Sequence, residues 1–197
     1  MYILAINGSP HRTGNTAFLL EKALEAAREE GIETKLLHVA DALKDQKRPY
    51  CEACTSPCVE ACHADTPLGE AVTLLEGCAG LILGSPVYFG IVSGQLKSFW
   101  DKTRAVRNRK SLVGKPAGAL SVGAARFGGQ ETTVRALHDM LLVQGMQVAG
   151  DGTADTDGGH QGVCAQKPAE KDDFAIERAA ILGRRIAREA ARRGLAT

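Results

Sequence analysis

The 197-residue chain predicts an α/β protein: a three-layer sandwich whose five-stranded parallel sheet has the order 2-1-3-4-5 and helices on both faces. Three observations lead there. Short apolar runs alternate with amphipathic helical stretches from one end of the chain to the other. The strand-like runs are continuously apolar, as strands buried on both faces are. Each run is followed by a helix, so right-handed crossovers leave few arrangements. Five strands suit the order 2-1-3-4-5, which places a ligand crevice at the carboxyl ends of strands 1 and 3.

The elements follow in order. Residues 2–6 form the first strand, ended by Asn7-Gly8-Ser9-Pro10. A helix over about 15–30 carries Leu20, Ala23, Leu24 and Ala27 on one face and stops at Gly31. Residues 34–39 read as the second strand. The pattern then breaks into a polar, cysteine-rich stretch at about 44–66. Pro67 sits in the first turn of a helix over 67–77. Residues 80–84 are a buried strand, and 94–107 read as one helix with Leu96, Phe99, Trp100 and Thr103 on a face. Residues 117–122 make the fourth strand and 129–144 the fourth helix. A short fifth strand, 147–149, precedes a Gly- and Asp-rich stretch, 151–172, read as a flexible loop or lid. The last helix covers 173–193, with Ala179, Leu182, Gly183 and Ile186 facing inward.

Hydrophobic residues make up 44% and charged residues 24%, and the formal net charge of +1 leaves no footprint for nucleic acid or an anionic membrane. No apolar stretch approaches a bilayer span, and the N-terminus lacks a signal peptide's basic start. A cytoplasmic location is therefore expected. Four of the six cysteines, Cys51, Cys54, Cys58 and Cys62, cluster, which in a reducing compartment points to metal or redox chemistry rather than disulfides. Cys78 reads as core.

Three loops meet at the crevice. Gly8-Ser9-Pro10-His11-Arg12-Thr13-Gly14-Asn15-Thr16 brings hydroxyls, an amide and an Arg to a helix N-terminus, a setting suited to a phosphate. It is not a Walker A loop, and no G-x-G-x-x-G occurs. Taken alone, the loop is equally well read as an ordinary capped helix entry. Gly84-Ser85-Pro86-Val87-Tyr88-Phe89-Gly90 places two aromatics directly after a buried strand, where a flat ring system would lie or where they would pack beneath the loop. Ser121-Val122-Gly123-Ala124 offers small residues that let backbone approach a ligand.

Together with Ser93-Gly94-Gln95-Leu96-Lys97, Asp101 and Gly128-Gly129-Gln130-Glu131, these loops resemble the NADPH-dependent FMN reductase family, over residues 1 to about 150. The cysteine cluster resembles that family's iron–sulfur flavoprotein branch. The resemblance implies a flavodoxin-like fold, with residues 1–197 as one FMN-binding domain carrying a cysteine-rich insertion at about 44–66. It implies that Ser9, His11, Arg12, Thr13, Asn15 and Thr16 hold the FMN phosphate. Pro86, Val87, Tyr88, Phe89 and Gly90, with Ser121, Val122 and Gly123, would contact the isoalloxazine and ribityl parts. A homodimer or homotetramer is also implied.

The expected function is an FMN-dependent oxidoreductase that passes electrons from NAD(P)H or another reduced donor to a quinone, metal ion or redox protein. The alternatives are a non-enzymatic electron carrier and a flavin reductase with a structural zinc site. Cys51, Cys54, Cys58 and Cys62, spaced C-x2-C-x3-C-x3-C, are expected to bind a [4Fe–4S] cluster, because iron–sulfur sites often draw thiolates from a compact run. Zinc is the second choice, since zinc sites more often pair two knuckles across a long spacer. The middle spacing is longer, and the last shorter, than in the iron–sulfur branch, which also keeps a loop of plain thiols open.

Other features read as ordinary. The basic run Arg104, Arg107, Arg109 and Lys110 suits a solvated helix end. Asp151, Asp155 and Asp157 fail the EF-hand template. His63 is expected at the surface, and Trp100 in a core or interface.

Overall fold

Parallel pairing on both sides of the first strand organises the chain. The computed structural model describes residues 1–195. In chain order the elements are β1 (Tyr2–Asn7), α1 (Asn15–Glu29), β2 (Glu33–His38), α2 (Val39–Leu43), α3 (Pro67–Gly77), β3 (Gly80–Pro86), α4 (Gly94–Asp101), α5 (Arg104–Arg109), β4 (Pro116–Gly123), α6 (Gln130–Val143), β5 (Gln147–Val148), β6 (Val163–Gln166) and α7 (Asp173–Leu195). The sheet order is β2-β1-β3-β4-β5, all parallel, with β6 also pairing with β4. Every strand therefore ends at the same edge of the sheet, as the crevice rule requires.

Alternation along the strands feeds two cores. Leu4, Ile6, Leu81 and Leu83 face a layer that includes Leu68 and Leu75 of α3, Phe99 of α4 and Leu137 of α6. Ile3, Ala5 and Ile82 face the opposite layer, where Leu20 and Leu24 of α1 meet Leu182 and Ile186 of α7. Gly183 lets α7 lie directly on α1: a side chain there would run into the Ala23 carbonyl.

Two expectations need correction. Residues 94–107 are not one helix. The buried Thr103 hydroxyl donates to the Trp100 carbonyl at 2.7 Å and accepts from Gln144 Nε2 at 2.8 Å. The Thr103 N–H also bonds to Trp100 O, a tightened turn that ends α4 at Asp101. Nor is 151–172 a plain loop. It contains β6 and a 3₁₀ turn, Ala169–Lys171. The fifth strand position is split: β5 pairs with Pro116 and Ala117, and β6 resumes along Leu120 to Gly123 after an excursion.

Arg178 of α7 clamps that excursion. Its Nε donates to Asp151 Oδ2 at 2.9 Å and its Nη1 to the Asp157 carboxylate at 3.0 Å. Arg178 and Asp151 are 4% and 1% exposed, so the pair lies in the interior. Burial pushes the Asp151 carboxyl up, but hydrogen bonds from Arg178 and the His160 N–H more than offset this and hold it below the usual range. The Arg178→Met protein should lose about 3–5 kcal/mol of stability, because a buried carboxylate is left uncompensated. Urea unfolding checks this. Combining Arg178→Met with Asp151→Leu should recover part of the loss.

Candidate functional site

The crevice is built where β1 and β3 end side by side. The Gly8 N–H donates to the Gly84 carbonyl at 2.8 Å. A side chain at Gly8 would stand 2.8 Å from both Gly84 O and Leu96 Cβ, so only glycine fits there. Asn7, fully buried, shapes the loop that follows: its Oδ1 accepts from the Ser9 N–H and its Nδ2 donates to the His11 carbonyl, both at 3.0 Å. Ser93 closes the other side. Its hydroxyl donates to Gly8 O and accepts the Leu96 N–H, capping α4, while its own N–H donates to Ser85 Oγ at 3.0 Å.

The loop then delivers a bare helix start. Gly14 caps α1 without a side-chain bond, and the first turn holds no acid. The N–H groups of Asn15, Thr16 and Ala17 have no intrahelical partner by helix geometry, and the positive dipole end is uncompensated. His11, Arg12 and Thr13 are exposed here, and Thr16 is buried against the turn. Ser9 Oγ accepts from the His11 N–H at 3.1 Å, leaving its hydroxyl proton to donate. Arg12 pairs with Asp41 of α2 at 3.2 Å. Asn15 is partly engaged: its Oδ1 accepts the Ala169 N–H at 2.7 Å, tying the β6–α7 connection to this end of α1.

After β3, Tyr88 and Ile91 exchange backbone bonds around Phe89 and Gly90, whose φ angles are 50° and 81°. This two-residue turn needs positive φ at both centres. A bulky Phe in that region is uncommon, and its ring is fully exposed. Tyr88 is exposed beside it. Pro86 and Val87 are half-buried, and the Val87 N–H donates to Val122 O at 2.9 Å.

The third loop differs from the sequence reading in what it shows to solvent. Ser121, Val122 and Gly123 are buried, and the Ser121 hydroxyl donates to Gln130 O at 2.8 Å. The exposed residues come next, 124–127, ending in Phe127. Gln130 shapes that turn by accepting the Gly128 N–H at 2.8 Å and donating to Ala125 O. Gly129, with φ 94°, lies so close that a side chain would be 3.0 Å from Gly90 Cα. Sequence reasoning gave Asn7 and Ser93 no role. Only their bonds across the chain reveal one.

The cysteines form a second locality. Cys51, Cys54, Cys58 and Cys62 are all free thiols and all line one cavity of about 450 Å³, together with Lys102 and Arg104. No three His, Cys, Asp or Glu side chains among the described residues are grouped closely enough to hold a metal ion. Burial pushes the Cys62 thiol up, Lys102 pulls it down, and Cys58 and Cys51 add to the upward push. His63, expected at the surface, is 6% exposed: its ring faces Glu60 Oε1 and the Lys102 carbonyl, each at 3.0 Å. Arg109 binds both Glu60 and Glu76, fastening the cysteine loop to α3 and α5. Within the basic run Arg109 is thus ion-paired, while Arg104 and Arg107 reach the carbonyls of Thr55 and Val143. Cys78 is core, as expected, and burial raises its pKa to about 11. Trp100 is also core.

His38 supplies a pH test. Its Nδ1 stands 3.0 Å from Asn7 Nδ2, a contact that needs an unprotonated acceptor. Burial, helped by the Arg12 charge, pushes its pKa below 6.5. The unfolded chain therefore takes up the proton first as pH falls. The stability from neutral His38 is full above the unfolded value near 6.5 and is lost as pH falls through the lower folded one. Chemical unfolding at stepped pH should show a shallower acid slope for His38→Gln than for the parent. His138, also pushed down by burial, keeps some slope in both.

Comparison with known proteins shows the family and the fold. The family model described as NADPH-dependent FMN reductase matches residues 1–161. The chain is 40% identical over 190 residues to an iron–sulfur flavoprotein of Methanocaldococcus jannaschii, covering 95% of this chain and 96% of that one. It is 33% identical over 180 residues to an iron–sulfur flavoprotein of Methanosarcina thermophila, covering 90% and 88%. A flavodoxin, the WrbA-like protein from Agrobacterium tumefaciens, shares the fold with a TM-score of 0.70 at 19% identity, covering 97% of each chain.

Proposed function

The chain belongs to the NADPH-dependent FMN reductase family, a family of oxidoreductases, and from that premise we propose that it binds FMN in the β1/β3 crevice and passes electrons from NAD(P)H to an acceptor such as a quinone, a metal ion or a redox protein. The observation that carries the reading is the start of α1: unpaired N–H groups, no acid in the first turn, and a loop held open by Asn7 and Ser93. This donor set suits a phosphate. FMN, when bound, supplies the hydride and electron chemistry.

The chain's own residues bind and orient. Asn15, Thr16 and Ala17 would offer backbone donors to the phosphate, with hydroxyls from Ser9, Thr13 and Thr16 and with His11 and Arg12 at the rim. Gly8 lets the loop lie against Gly84 O and Leu96, and Gly84 lets β3 lie against Leu20 of α1 and Leu120 of β4. Pro86 to Gly90 and the turn after Gly123 would wall the ring, with Tyr88 and Phe89 at its border. Ser121 to Gly123 support that wall from beneath. The exposed rings of Phe89 and Phe127 favour a second copy covering this edge, as a dimer or tetramer.

Cys51, Cys54, Cys58 and Cys62 would hold a [4Fe–4S] cluster, which supplies one-electron steps. The four thiols line one cavity with four cations, Lys47, Arg48, Lys102 and Arg104, and three carboxylates, Asp45, Glu52 and Glu60; thiols are the donor type of an iron–sulfur site, although they are not drawn together in this structure. The 40% identical iron–sulfur flavoprotein supports iron over zinc.

Two outcomes are expected. Thr16→Ala with Asn15→Ala should lower FMN content at least tenfold in dialysed protein while leaving the far-UV circular dichroism unchanged. Unchanged flavin content would show that the Asn15 and Thr16 side chains do not hold the phosphate. Protein purified without air should show both flavin and iron–sulfur absorption, with about four irons and four sulfides per chain, and should oxidise NAD(P)H in steady state with a quinone or ferricyanide. Stoichiometric zinc would overturn the cluster. A flavin that NAD(P)H fails to reduce would leave an electron carrier.

A further inference from the structure

The amide of Asn7 is fully committed. The residue is buried at the end of β1. One Nδ2 hydrogen goes to the His11 carbonyl and the other to His38 Nδ1, each at 3.0 Å, while Oδ1 accepts the Ser9 N–H at 3.0 Å. Ser9 Oγ then accepts the His11 N–H. Parallel pairing sets His38, the last residue of β2, opposite Asn7 in register. One side chain thus connects the second strand to the loop that leads into α1.

The direction of the contact is fixed by chemistry. An amide nitrogen only donates, so His38 Nδ1 accepts, and the ring is neutral with its proton on Nε2. A protonated Nδ1 would face the amide N–H as a second donor. Turning the Asn7 amide over would not repair this. Its oxygen would then meet the His11 carbonyl, and its NH2 would meet the Ser9 N–H. Protonation of one ring therefore disturbs both bonds that shape the loop.

Resting on the proposal that the start of α1 takes the FMN phosphate, we propose that His38 is a positioning residue for that phosphate: the neutral ring locks Asn7 and the loop from Ser9 to His11, and the protonated ring unlocks them. His38 itself touches no atom of the flavin in this scheme. The charged groups around it are few. Arg12 of the loop disfavours the protonated ring and Asp41 of α2 favours it, and the two pair with each other. β1 has no charged residue, and Asp41 is the one charged residue of α2. The first charged residue of α1, Glu21, pairs with Arg28. His11 is exposed on the same loop. A bound phosphate would attract a protonated ring, so a His38 that acted by charge would tighten FMN in acid. The lock predicts the reverse.

The test titrates the full chain, stripped of flavin, with FMN and with riboflavin, following flavin fluorescence. The proteins are the parent, His38→Gln and His38→Leu, each checked for folding by far-UV circular dichroism at every pH. Gln offers an acceptor that does not titrate, and Leu offers none. At about pH 8, where an ordinary histidine is neutral, His38→Gln should bind FMN within about threefold of the parent and His38→Leu about tenfold more weakly, as expected when a buried donor loses its partner. Between about pH 8 and about pH 5, across the histidine range, the parent should lose about tenfold more FMN affinity than His38→Gln. Protonation of the FMN phosphate and of His11 is common to both and cancels in this comparison. Riboflavin, which lacks the phosphate, should show neither difference. Parallel pH profiles, or tighter acid binding by the parent than by His38→Gln, overturn the inference, as does equal loss for riboflavin. If His38→Leu does not fold, the pH comparison of the parent with His38→Gln decides alone. A parent that binds no FMN at any pH overturns the flavin reading itself.

Discussion

One serine hydroxyl holds the crevice together. Ser93 donates to the carbonyl of Gly8 and accepts from the N–H of Leu96, and its own N–H reaches Ser85. It therefore joins the loop after β1, the end of β3 and the start of α4 at a buried point. Buried polar groups must find partners, so this network admits few alternative arrangements. The close approach of Gly8 to Gly84 and Leu96 depends on it. The placement of α1's unpaired N–H groups depends in turn on the loop that Gly8 begins.

The opposite margin of the sheet is secured by charge. The fifth strand position is filled by two short segments, and a strand of two residues has little pairing of its own. Arg178 makes up for this by reaching from α7 into the excursion between the segments and binding Asp151 and Asp157. The same connection returns to the crevice, because Asn15 accepts the Ala169 N–H. The split strand, α7 and the phosphate loop are thus mechanically continuous. Their two anchors, one ionic and one an amide, lie at opposite ends of β6.

The cysteine-rich segment is attached to this frame by side chains rather than by sheet or helix pairing. His63 fastens it to the end of α4, Arg109 to α3 and α5, and Arg104 to the carbonyl of Thr55. Those bonds bring cations to the cavity that the thiols line. The cavity is lined by the thiols together with cations, Lys47, Arg48, Lys102 and Arg104, and carboxylates, Asp45, Glu52 and Glu60.

Local pattern determined much of this protein. Continuous apolar runs at 2–6, 80–84 and 117–122 specify strands buried on both faces, and the helices between them leave few strand orders. The turn residues of Gly8 to Thr16 and of Ser85 to Gly90 mark where strands end, and their place after the first and third strands sets them at the crevice. Tertiary structure alone decided the rest. β6 is too short to announce itself, and it exists because β4 offers it an unpaired edge. The helix expected over 94–107 breaks because Thr103 meets Gln144 from a distant element. His63 and Lys102 are buried because the cysteine loop folds over the end of α4. Each of these depends on a partner far away in the sequence, and no local periodicity encodes such a partner.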